Sequence, residues 1–184
     1  MCLRKPKKAF RFINCPDMGN ERRLEMKIEL RNVKHSEFAS HETNCFECAV
    51  YIEGKKAGEA SNDGQGGSTS IYPNTLYLLL QDYAKTLPPF TYEGCAGSIA
   101  QTADYVIDEL LTEWLYARDA KRAMQKKILF LRKGTLMESG RMDAATLQKR
   151  LTRPDLLKEL QADKILNLLP IEEAIKAYRG GVSK

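Results

Sequence analysis

Residues 44–67 read NCFECAVYIEGKKAGEASNDGQGG. Phe46, Val50, Tyr51 and Ile52 crowd its first half, and such residues favour a pleated, half-buried surface, so 44–53 predicts a strand. Gly54-Lys55-Lys56 predicts a tight basic turn, and Ala57–Ser61 a short returning strand at the sheet edge. Asn62-Asp63-Gly64-Gln65-Gly66-Gly67 lies in a stretch, Ser61–Pro73, that predicts a loop, because glycine and Asx residues supply the dihedrals of tight turns.

Upstream, Met26–Val33 alternates Ile28, Leu30 and Val33 with Lys27, Glu29 and Arg31, the period of a strand with one buried face. His35–Thr43 is polar and predicts a loop with one buried residue, Phe38. Downstream, Leu76, Leu79, Leu80, Tyr83 and Leu87 form the stripe of a helix opened by Pro73 or Asn74 and stopped by Pro88-Pro89. Thr91–Gly97 reads as a connector. Ser98 and Gln101 have capping-box spacing for a long helix over 98–127, with Ile99, Ala103, Val106, Ile107, Leu110, Leu111, Trp114 and Leu115 facing the core and a polar second half fringing the domain. Ile128–Leu131 and Thr135–Glu138 predict a hairpin. Asp143 predicts a helix cap, Thr152–Asp155 starts another helix, Ile165–Leu169 is a last strand, and Pro170 opens a final helix that Gly180-Gly181 ends.

The chain has 184 residues, enough for one domain with its own core. A hydrophobic share of 43% and a mean hydropathy of −0.44 fit a globular protein. The apolar runs 76–80 and 128–131 are far short of the roughly 20 residues that span a bilayer. Arg4, Lys5, Lys7, Lys8 and Arg11 break any signal-peptide core, so a cytoplasmic location without membrane contact is expected. The five cysteines need no disulfide in a reducing compartment. Residues 1–25 carry +4 of the net charge of +5. They lack helical or strand periodicity and are expected to be a basic leader outside the fold. Glu21-Arg22-Arg23 is compatible with a ribosome-binding sequence ahead of a start at Met26, which would make the leader translated upstream sequence. The rival expectation is a nucleic-acid-binding arm.

Cys45-Phe46-Glu47-Cys48 has the C-x-x-C spacing, with His41 nearby and Cys95 farther along. On a strand, however, residues three apart point to opposite faces, so no zinc site and no other metal or cofactor is expected. The 62–70 loop has glycines and hydroxyls suited to phosphate, but it lacks Gly-Lys-Ser/Thr and carries Asp63, so a connector or contact loop is the better expectation. A Cys45–His41 pair and the loop itself keep a small enzyme as an alternative. Glu109 and Glu113 read as solvated helix charges. Lys55 and Lys56 at the turn, with Lys121, Arg122, Lys126, Lys127, Arg132 and Lys133, form a basic supply that nucleic acid could use, with Trp114, Tyr116 and Phe130 nearby.

Through Tyr51-Ile52-Glu53-Gly54-Lys55-Lys56-Ala57-Gly58 and Asn62–Gly67, residues 26–72 resemble small uncharacterised proteins of bacteriophages and prophages. The resemblance implies a mobile-element origin and action by binding host machinery or defence complexes, and it carries over no active-site residue.

The expected fold is α+β: a single domain over 26–180, with an antiparallel sheet packed on one long helix and short C-terminal helices. The expected function is non-enzymatic binding of a host protein or nucleoprotein complex, for instance as an inhibitor of host defence. The alternative is nucleic-acid binding through the hairpin turn and helix end. The residues expected to bind are Lys55, Lys56, Asn62, Asp63, Gly64, Gln65, Gly66, Gly67, Lys121, Arg122, Lys126 and Lys127.

Overall fold

A computed structural model describes residues 26–91 and 98–182. The leader 1–25, most of the 91–97 connector and Cys95 lie outside the described residues. The chain is α+β, built of antiparallel sheets and α-helices. Its contacts cluster into two compact units that divide after Leu111, inside the long helix.

The first unit is organised on a four-stranded antiparallel sheet of β1 (Ile28–Ser36), β2 (Cys45–Ile52), β3 (Lys55–Asn62) and β4 (Ser70–Tyr72), in that spatial order. The apolar run of β2 makes it a central strand, with Phe46, Cys48 and Val50 buried. A bulge in β1 at Asn32, whose φ is 54°, shifts the register between Arg31 and Lys34. The hairpin turn is Glu53-Gly54, both with positive φ, the pattern of a two-residue turn that matches strand twist. Lys55 and Lys56 therefore belong to β3 and pair with Ile52 and Tyr51, correcting the expected Gly54-Lys55-Lys56 turn. Nor is β3 an edge: β4 pairs with it at Glu59–Ser61.

α1 (Asn74–Lys85) buries Leu76, Leu80 and Ala84, while Leu79 is 44% exposed, so the buried stripe runs one position around from the expected one. A two-stranded pair, β5 (Phe90–Thr91) with β6 (Ser98–Ile99), precedes α2 (Ala103–Met124). Ser98 is thus strand and caps nothing. Gln101 donates its side-chain amide to the Pro88 carbonyl, and Thr102 receives the Tyr105 amide as the helix cap. The first half of α2 buries Ala103, Val106, Ile107 and Leu111, as its spacing predicts, whereas Leu110, Trp114 and Leu115 are only half-buried and Ile99, expected on the same face, lies in β6 and is 56% exposed.

In the second unit, α2 continues with Ala117 and Ala120 buried, and Ala123 and Met124 pack on a core of Leu129, Leu166 and Ala174. The expected polar fringe is therefore half core. The three-stranded antiparallel sheet has the order β8 (Thr135–Glu138), β7 (Leu129–Arg132), β9 (Lys164–Ile165). α3 (Ala144–Leu151) is capped by Asp143. After α4 (Leu156–Glu159), β9 gives way to a 3-10 turn at Leu166–Leu168, so the expected strand at 165–169 is only begun. α5 (Ile171–Val182) runs through Gly180 and Gly181, which do not end it.

Candidate functional site

At one end of the four-stranded sheet two loops are tied together: the 37–43 turn between β1 and β2, and the 63–69 loop between β3 and β4. Ser36 and Ser40 build the first by local side-chain bonding. Ser36 Oγ accepts the Ala39 amide, Ser40 Oγ donates to the Ser36 carbonyl, and Ser40 Oγ accepts the Cys45 amide at 2.8 Å. Gly64 ties it to the second. With φ at 85° it turns its carbonyl into the neighbouring loop, where it accepts the amides of His41, Glu42 and Thr43 at 3.0, 3.0 and 3.4 Å.

Asn62 is the hub of the glycine loop. Its Oδ1 accepts the Gly64 amide at 2.8 Å and the Thr43 hydroxyl at 2.7 Å, and its Nδ2 donates to the Gly67 carbonyl at 2.8 Å. Asp63 Oδ1 accepts the Gln65 amide, and the Gly66 amide reaches Thr43 Oγ1. Thr69 is buried and donates to Asp108 Oδ1 at 2.9 Å. Burial pushes the Asp108 carboxyl up, opposed by the Thr69 bond and reinforced by Asp104. The amides of Gly64, Gln65 and Gly66 are thus committed to the chain's own acceptors, and the glycines serve a framework rather than a phosphate cradle.

What this framework presents is Phe38. The side chain expected in the core is 93% exposed. Ala39 is the only other apolar side chain between His35 and Thr43, so the segment has no apolar face to turn inward. That isolation was the signal available in the sequence.

Cys45 and Cys48 lie on opposite faces of β2, and only Cys48 is fully buried, its thiol pushed up to about 11 by burial. Lys55 and Lys56 are exposed, and Lys56 Nζ meets Glu59 Oε1 at 2.6 Å. That bond and its charge raise the Lys56 ammonium and lower the Glu59 carboxyl.

The remaining predicted cations belong to the second unit. Burial lowers the Lys121 ammonium. Lys127 Nζ pairs with Glu138. Arg122 and Lys126 are exposed. Phe130 is core, with Arg132 at 5.5 Å from its ring, and so is no stacking platform. Trp114 is partly exposed beneath Arg118, 5.6 Å from the ring. Arg141, absent from the expected set, faces the same cleft as Lys126.

Set against family profiles, curated proteins and solved structures, the chain matches none.

Proposed function

We propose that this chain is a non-enzymatic binding protein of phage or prophage kind, which acts by occupying a host protein or nucleoprotein complex. The reading is carried by Phe38, exposed on a turn that hydrogen bonds hold from both sides. Burying a phenylalanine contributes about 1.5–3 kcal/mol, and a side chain on a pre-ordered loop loses little further backbone entropy on binding. Large aromatic side chains seated in a partner's pocket are the usual anchors of protein interfaces. Glu37, Glu42 and Asp63 flank it in sequence and in the paired loop. The fitting partner surface is therefore an apolar pocket bordered by lysine or arginine.

The test is capture from nuclease-treated host lysate, followed by reconstitution with the identified protein. Phe38→Ala should melt at the wild-type temperature and bind at least ~10-fold more weakly, about 1.4 kcal/mol. Equal affinity of the variant, or turnover of a substrate, counts against the reading.

A second reading, direct nucleic-acid contact by the C-terminal unit, is favoured by its charge. Residues 112–184 hold 16 Lys/Arg and 9 Asp/Glu, a net of +7, whereas residues 26–111 hold 6 and 12, a net of −6.

A further inference from the structure

In the C-terminal unit most carboxylates are already engaged. Glu113 pairs with Arg179, Asp119 with Arg118, Glu138 with Lys127, Asp155 with Arg153, and Glu159 with both Arg150 and Arg153. Arg122, Lys126 and Arg141 have no carboxylate partner among the described residues. Arg122 lies in the last turn of α2, and Lys126 follows in the turn just past its end, where the Lys126 amide donates to the Ala123 carbonyl at 3.0 Å. Lys126 and Arg141 line one open cleft of about 630 Å³, whose other walls are Gln125, Met142, Asp143 and Ala144. A backbone bond from the Met142 amide to the Lys126 carbonyl, 2.9 Å, fixes its two sides together.

Resting on the second reading, we infer that this cleft and the adjoining Arg122 face hold the phosphodiester backbone of a nucleic acid, recognised by charge and not by base. Arginine offers a planar fork to phosphate oxygens, lysine a point charge, and the Gln125 amide a neutral donor. Lysines at a helix C-terminus also complement the helix dipole. That effect asks nothing of Arg141, which lines the cleft from the segment leading to α3. The opposing charge in the cleft is Asp143, whose carboxylate accepts the Thr146 amide at 2.9 Å and the Thr146 hydroxyl at 2.7 Å. Those bonds hold it below the usual carboxylate range, so it stays charged at neutral pH.

The experiment is fluorescence anisotropy of the full chain with a short labelled duplex of mixed sequence, over about 50–200 mM salt. Arg122→Ala, Lys126→Ala and Arg141→Ala should each weaken binding about 3- to 10-fold and reduce the salt slope by about 1. Asp143→Asn keeps a cap acceptor, since Asn and Asp cap alike, and should tighten binding. Lys55→Ala and Lys56→Ala, cations of the other unit, should leave affinity and slope unchanged. Absence of duplex binding by the wild type overturns the nucleic-acid reading and this site together. Wild-type binding that survives the triple alanine variant, or that falls equally with Lys55→Ala and Lys56→Ala, overturns the site alone. Circular dichroism melts confirm folding, and the single variants decide the matter if the triple variant unfolds.

Discussion

Gly64 shows how one residue can organise a loop without touching anything outside the protein. A Cβ there would lie 2.1 Å from the Ala39 carbonyl oxygen and 2.9 Å from Cys45 Cβ, and its φ of 85° is one that L side chains resist. The left-handed penalty alone is about 1–2 kcal/mol. With the clash added, Gly64→Ala should destabilise by at least about 2 kcal/mol, read as a lowered urea midpoint, and should loosen Phe38 with it. An unchanged midpoint would show that the three amides on the Gly64 carbonyl contribute little.

Glu29 is the other decisive residue. Its buried carboxylate meets Lys27 Nζ at 2.5 Å and Arg31 Nη2 at 2.7 Å, and the Arg31 guanidinium stacks 4.1 Å over Tyr51. Burial works to raise its pKa, but the bonds and charges of Lys27 and Arg31 prevail and hold it below its ordinary 4.5. A carboxyl lowered on folding stabilises fully above that value, and the contribution is lost as the pH falls below it. Asp108, raised on folding, works in the opposite direction. Glu29→Gln should therefore cost about 1–2 kcal/mol at neutral pH and progressively less below about pH 4.5, by urea denaturation at each pH. A gap that stays constant on acidification would rule the ion pair out as its cause.

At the scale of elements, the C-terminal glycines separate helix propensity from packing. Both stand in α5, yet a Cβ at Gly180 meets nothing within 4 Å, whereas one at Gly181 would sit 2.6 Å from Leu136 Cβ of β8. Gly180→Ala should stabilise by about 0.5–1 kcal/mol through the better helix former. Gly181→Ala should destabilise despite the same gain, because β8 lies against that turn. The pair is checked by thermal melts, and equal shifts would contradict the close approach of α5 to β8. The hairpins follow similar local logic: β2–β3 and β7–β8 both turn on a residue with positive φ followed by glycine, Glu53-Gly54 and Lys133-Gly134. The β7–β8 hairpin was readable from an apolar run and a glycine. The start of α2 was not, because Ser98 and Gln101 matched a capping pattern while both were engaged elsewhere.

For the whole molecule, the instructive quantity is charge in sections rather than its sum. A net of +1 over residues 26–184 describes neither half, since −6 and +7 fall on opposite sides of Leu111/Thr112. At neutral pH and low salt the protein should be held by both anion- and cation-exchange media, and released from each by screening. Retention on the cation exchanger alone would mean that the acidic half does not act as a surface of its own. The division falls mid-helix, where no Pro, Gly or polar linker marks it in the sequence.

Composition and periodicity by themselves determined the α+β class, the β1–β2–β3 antiparallel run, the burial of the first half of α2 and the cap at Asp143. Each of these depends on neighbours a few residues away. Only the tertiary structure placed Phe38 in solvent, turned the glycine loop into a hydrogen-bonded frame, made β3 an interior strand and brought Arg141 to the same cleft as Lys126. Those outcomes depend on which distant groups meet: a carbonyl at Gly64 with amides at 41–43, a strand at 70–72 with one at 59–61, an amide at Met142 with a carbonyl at Lys126 just past the end of α2. Local pattern cannot encode such pairings, because the same residues satisfy their bonds with water until the chain brings a better partner.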